Sequence, residues 1–167
     1  VVENLSLGSC SNRAECGQGL HFGWANAYVE HVTARRVLVW SAKVGLATEN
    51  SNGVVYENNE IYGIGYGSCL YFGPGNTNGL ARNNLCYGKQ NRNACLSLRG
   101  KNWNVKAHWN ICTNFNHGTI WDGEDDSGGT EGAEFSHNLF VTTGVNQCVN
   151  KDYCSVGGLQ CVEGARN

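Results

Sequence analysis

Residues Asn116 to Gly132, NHGTIWDGEDDSGGTEG, hold the densest group of reactive side chains in this sequence: Asp122, Glu124, Asp125 and Asp126, with His117 just ahead of them. Carboxylates crowded together raise one another's pKa. Such a cluster suits calcium binding, proton transfer, or an acid/base pair working on a glycosidic bond, with His117 in support. The competing reading is a solvated loop, because Asp, Gly and Ser are also what an ordinary exposed turn requires. A second chemistry is carried by aromatic residues. Trp109, Trp121, Tyr62 and Tyr87 could stack on sugar rings, or stabilise one another as neighbours on adjacent strands.

Composition limits what can position these groups. The 167 residues suffice for one domain with a core, and the formal charge of -2 carries no basic excess for nucleic acid or an anionic membrane. No apolar run approaches the roughly 20 residues needed to span a bilayer. With 23 glycines, 22 asparagines and one proline, the chain turns often, and no segment keeps a 3.6-residue apolar period. Nine cysteines point to an oxidising compartment, hence to the secretory pathway and an extracellular or cell-surface location. Their odd number leaves at least one thiol unpaired or paired outside the chain.

The elements emerge from a repeat. NNEIYG (Asn58 to Gly63) returns as NNLCYG (Asn83 to Gly88), and the second Asn recurs at Asn59, Asn84, Asn110 and Asn138, at intervals of 25, 26 and 28 residues. Asn4 and Arg36 extend this column upstream. Two residues after the anchor stand Ser6, Leu38, Ile61, Cys86, Cys112 and Phe140; three before it stand Val1, Thr33, Tyr56, Ala81, Ala107 and Phe135. These alternate with polar positions, as in short strands separated by a bend. Further along each repeat, Leu20, Leu46, Leu70, Leu96 and Ile120 predict the inward side of another strand. A period near 25 without helix predicts a solenoid with parallel strand pairing between turns. The expected fold is an all-β, right-handed parallel β-helix of about six coils, three short strands each, forming one domain over 1–167 and belonging to a longer chain.

In that architecture Asn4, Asn59, Asn84, Asn110 and Asn138 form a structural ladder, each amide donating to one neighbour and accepting from another. Asn4-Leu5-Ser6 is the one standard glycosylation sequon, and placing Asn4 in the ladder argues against a glycan. Cys86 and Cys112 share an inward column and are expected as stacked buried thiols. Cys69 and Cys95 share a column expected to face outward, which makes them the better disulfide pair. Cys10 with Cys16, and Cys154 with Cys148 or Cys161, would close loops near the ends. No CxxC pair occurs and the five histidines are scattered, so no zinc site or other cofactor is expected beyond calcium at the carboxylates.

The motifs VVYENNEIYGIGYGSCLYFG and GLARNNLCYGKQNRNACLSLRG resemble the generic coil of the right-handed β-helix, pectate-lyase-like superfamily. With the cysteines, the texture is also similar to β-helix segments of fibrocystin-like and cell-surface hyaluronidase-like extracellular proteins. The resemblance implies that a catalytic member would pair an acidic calcium site with an Arg or Lys base, for which Arg99 and Lys101 lie one coil from Asp122. The polygalacturonase pattern implied by the same superfamily is missing: GEDD is present, but NHG stands where GHG is needed. The functional expectation is a structural or interaction module of a secreted, cell-surface or filament-forming protein. Its expected partners are adjoining coils, neighbouring subunits at the solenoid ends, or polysaccharide. The alternatives are a polysaccharide lyase or glycoside hydrolase centred on Asp122, and a non-catalytic carbohydrate-binding module.

Overall fold

A computed structural model of the chain describes residues 1–8, 17–24, 27–64, 67–89, 94–115, 117–122 and 130–142. Each repeat brings the chain back to the same walls, and the result is a parallel β-solenoid. The first wall holds β1 (Val2–Glu3), β5 (Thr33–Arg35), β9 (Val55–Glu57), β12 (Leu80–Arg82), β15 (Lys106–His108) and β18 (Glu134–Ser136). The second holds β2 (Ser6–Gly8), β6 (Leu38–Trp40), β10 (Glu60–Ile64), β13 (Leu85–Gly88), β16 (Ile111–Phe115) and β19 (Leu139–Thr142). The third holds β3 (Gln18–Phe22), β7 (Val44–Thr48), β11 (Ser68–Phe72), β14 (Ala94–Arg99) and β17 (His117–Asp122). A fourth, minor side pairs β4 (Val29–Glu30) with β8 (Ser51–Asn52) and continues as single bridges through Thr77, Trp103 and Glu131. No helix occurs among the described residues. About four turns are formed rather than the expected six.

The register corrects the expected columns in the first two passes. Val2, Ala34, Tyr56, Ala81, Ala107 and Phe135 align in the first wall, and Leu7, Val39, Ile61, Cys86, Cys112 and Phe140 in the second. Val1, Thr33, Ser6 and Leu38 therefore stand one residue away from the core columns assigned to them. A slip of one residue exchanges the two faces of a strand, so this correction changes which side chains point outward. The cause is a bend residue that precedes the ladder position in every pass. Asn4, Arg36, Asn58, Asn83, Trp109 and His137 all have φ between 52° and 58°. Asn tolerates that left-handed region better than most residues, so the same residue type marks both the bend and the ladder.

The ladder itself runs from Asn138 to Val37. Asn84 Oδ1 accepts the backbone N–H of Asn59 at 3.1 Å and its Nδ2 at 2.9 Å, while Asn84 Nδ2 donates to Tyr56 O at 3.0 Å. The same set recurs from Asn84 to Asn110 and from Asn110 to Asn138. The stack ends where Asn59 Oδ1 accepts the Val37 N–H at 3.0 Å. Asn59, Asn84 and Asn110 are buried, so these bonds satisfy amides that water cannot reach. Asn4 is not a member. Leu5 occupies its place, and Asn4 Oδ1 instead accepts from Arg36 Nε at 3.1 Å on the outside.

The core lies between the walls. Tyr56 is packed between Phe22 and Phe72, with ring centroids at 6.4 and 5.2 Å. Cys69 and Cys95 point inward, contrary to the expectation of an outward pair, and all four described cysteines are buried. They form Cys69–Cys86 and Cys95–Cys112, with Cα–Cα distances of 6.1 and 5.8 Å. Residues stacked in one column have parallel Cβ vectors, whereas those on facing walls point at one another, which is what a disulfide needs. Each bond joins the third wall to the second wall of the following pass. One rung away the same level is filled differently: a Cβ on Gly45 would lie 2.6 Å from Ile61 Cγ2 and 2.5 Å from Cys69 O, so only glycine leaves room for the isoleucine.

Candidate interaction surface

The outer faces of the walls differ in chemistry. On the first wall, Glu3, Arg35, Glu57, Arg82 and His108 form one outward column of mixed sign. Ion pairs link Arg35 and Arg36 to Glu3 at 2.5 and 2.8 Å, Arg82 to Glu57 at 2.6 Å, and Lys106 to Glu134 at 3.3 Å. The hydrogen bond from Arg35 is the main reason that the Glu3 carboxyl lies below the usual carboxylate range. Apart from the half-buried Glu57, their members are largely exposed, and such pairs contribute little to stability. They make the wall hydrophilic.

The second wall is apolar on the outside. Its strands present two outward columns, Leu38, Glu60, Leu85, Ile111 and Leu139, and then Trp40, Tyr62, Tyr87, Thr113 and Val141. Trp40, Tyr87, Ile111, Leu139 and Val141 are between 38% and 55% exposed. Trp40 lies flat over the first pass, where a Cβ on Gly8 would fall 2.2 Å from its indole ring. Tyr62 donates its hydroxyl to Glu60 at 2.9 Å, which raises the phenol's pKa and ties down the column's one described carboxylate. Behind this face, Cys86 and Cys112 anchor β13 and β16 to the third wall. The surface is therefore rigid, ordered along the solenoid axis, and unusual for solvent-exposed strands, where alternation normally places polar residues outside.

The sequence candidates fall into three groups. Tyr62 and Tyr87 are paired neighbours in the outward column, as their spacing implied, and Trp40 joins them. Trp40 was hidden by the one-residue slip at Arg36; anchoring on Val37 aligns it with Tyr62. Trp109 is not in this column. It occupies the left-handed bend, with its ring stacked on His137 at 4.2 Å and 11°.

The second group lies on β17. Asp122 pairs in register with Arg99, not with Leu98. Trp121 instead takes the column of Phe72 and Leu98, and Thr119 rather than Ile120 takes that of Leu96. The change of residue type that singled out Asp122 in a core column therefore disappears, and Trp121 falls in register with Phe22, Thr48, Phe72 and Leu98, of which the last three are buried. His117 pairs with Ala94. The third group, Glu124, Asp125 and Asp126 with Cys10, Cys16, Cys148, Cys154 and Cys161, lies outside the described residues.

Sequence reading missed a second polar ladder at the opposite corner. Buried Asn76 donates through its backbone N and Nδ2 to Asn102 Oδ1 at 3.3 and 3.2 Å, and Asn102 Nδ2 reaches Thr130 Oγ1 at 3.4 Å. An exposed ladder runs beside it, from Asn104 to Asn78 at 2.8 Å and Asn78 to Asn52 at 2.9 Å. The signal was available in Asn76-Thr77-Asn78 and Asn102-Trp103-Asn104, 26 residues apart. The Sγ atoms of Cys86, Cys95 and Cys112 lie within 4.8 Å of one another. All three are in disulfides, and a metal requires thiolate, so the oxidised stack offers no ligand set. Comparison with known protein families, with curated proteins and with solved structures finds no match.

Proposed function

We propose that this chain is a structural and interaction module of a secreted, cell-surface or filament-forming protein, and that the outer face of the second wall is the centre of a larger surface on which its partner docks. The observation that supports this reading is the exposed apolar and aromatic strip on strands held from behind by two buried disulfides. Rigid strands lose little conformational freedom on binding, so apolar contact there is converted into affinity with small ordering cost. The same disulfides are compatible with an oxidising exterior. Membership of the pectate-lyase-like superfamily, and the likeness to fibrocystin-like and hyaluronidase-like segments, belong to this proposal.

A second reading, carbohydrate binding without turnover, has its own support. Five strands at a spacing of about 4.8 Å make a strip about 19 Å long, and two outward columns make it about 10 Å wide. That footprint, about 190 Å², is far below the roughly 800 Å² per partner of a standard protein interface. A narrow strip lined by Trp40, Tyr62 and Tyr87 on successive rungs suits a linear chain of sugar rings. A lyase or hydrolase on Asp122 has less support, since its register no longer sets it apart.

The test assays the chain against acidic and neutral polysaccharides for both turnover and retention, using Tyr87→Ala, Ile111→Ser and Asp122→Asn. Loss of retention in Tyr87→Ala favours the sugar-binding reading. Retention of a protein partner lost in Ile111→Ser favours the interaction module. Turnover abolished by Asp122→Asn would sink both.

A further inference from the structure

The correction at the first bend changes the meaning of the chain's single Asn-x-Ser/Thr sequence, Asn4-Leu5-Ser6. A ladder asparagine could not carry a sugar, because its side-chain nitrogen is buried and already donates two hydrogen bonds, as Asn84 Nδ2 does to Tyr56 O and Asn110 Oδ1. Asn4 is in a different situation. It is exposed, at φ 55°, in the outward bend column, while Leu5 occupies the ladder position. Its Oδ1 accepts from Arg36 Nε, and among the described residues no hydrogen bond engages its Nδ2. Ser6, the residue that an acceptor sequence must also present, opens β2 on the outer face and is exposed.

We propose that Asn4 is an acceptor for an N-linked glycan. In the transfer, Asn4 Nδ2 attacks the anomeric carbon of an oligosaccharide carried on a lipid pyrophosphate. The new C–N bond forms as the bond from that carbon to the pyrophosphate oxygen breaks; the amide loses one proton and the lipid pyrophosphate leaves. No electrons change hands. The attached sugar projects from the exposed corner between the first and second walls, beside Arg36. The buried ladder and the core columns are untouched, since neither Asn4 nor Ser6 contributes a side chain to them. This inference rests on the reading that the chain passes through the secretory pathway.

The test expresses the 167-residue chain behind a cleaved secretion leader in cultured mammalian cells. Intact mass is measured on protein from the lysate and the medium, before and after peptide N-glycosidase. The expected result is a glycan mass that digestion removes, leaving aspartate at position 4. Asn4→Gln and Ser6→Ala each lose it completely, and Ser6→Thr keeps it at equal or higher occupancy. These changes alter exposed side chains only, so loss of the glycan is not a folding effect. A bare Asn4 in both the wild type and Ser6→Thr overturns the proposal, as does a glycan that persists in Asn4→Gln. Glycosylated protein lacking the Cys69–Cys86 and Cys95–Cys112 links supports the site and overturns the secretory reading of the native fold.

Discussion

Replacing Asn84 by alanine tests whether the buried amides hold the solenoid in shape. Asn84 is 1% exposed. Its removal strips the acceptor from Asn59 N and Asn59 Nδ2, at 3.1 and 2.9 Å, and the donor from Tyr56 O, at 3.0 Å. Asn110 Oδ1 also loses the Asn84 Nδ2 donor at 2.8 Å; four buried groups lose a partner at about 1–3 kcal/mol each, and partial relaxation brings the expected cost to about 4 kcal/mol. Asn138 makes the corresponding bonds at a half-buried position where water can replace them, so Asn138→Ala should cost about 1–2 kcal/mol. The assay is urea unfolding with disulfides intact, followed by tryptophan fluorescence and far-ultraviolet circular dichroism, whose coincidence establishes a two-state transition. A cost for Asn84→Ala no greater than that for Asn138→Ala would refute the reasoning. Asn84→Asp supplies an independent check. A carboxyl buried there has a raised pKa, so the ionised form is disfavoured in the fold and stability falls as pH rises through the unfolded value of about 3.9. Its deficit relative to the wild type should shrink as pH is lowered toward about 4.

Other consequences follow from the core. Gly45→Ala should destabilise by about 1–3 kcal/mol through the clash with Ile61 and Cys69 O, and adding Ile61→Val should recover part of the loss in the same urea assay. Non-reducing peptide mapping should find Cys69 linked to Cys86; the double change Cys69→Ala with Cys86→Ala should cost about 3 kcal/mol, from a bond spanning 17 residues. Recovery of a Cys69–Cys95 peptide would contradict the facing-wall geometry. Burial lifts the Tyr56 phenol well above its ordinary value of 10.0. The folded state therefore keeps its proton where the unfolded state releases it, and this contribution to stability is lost above about pH 10, at about 1.4 kcal/mol per pH unit. Urea midpoints of the wild type and Tyr56→Phe, compared between about pH 9 and 11, should show the steeper alkaline fall only in the wild type.

Sequence alone determined the parallel solenoid, because stacking in register makes every turn repeat the demands of the last. The ladder positions Asn59, Asn84, Asn110 and Asn138 and the outward neighbours Tyr62 and Tyr87 follow from a period of 25 to 28 residues. Where one residue type serves two purposes, that period is ambiguous. Asn4 is an asparagine for the left-handed bend rather than for the ladder, and only hydrogen-bond partners separate the two. The same one-residue offset concealed Trp40, and a comparable offset along β17 gave Asp122 the register position beside Leu98 that Trp121 holds. Disulfide partners were decided by the tertiary structure alone. Periodicity reports which residues stack along the axis, whereas Cys69 meets Cys86 and Cys95 meets Cys112 across the interior, a direction that no repeat in a linear chain encodes.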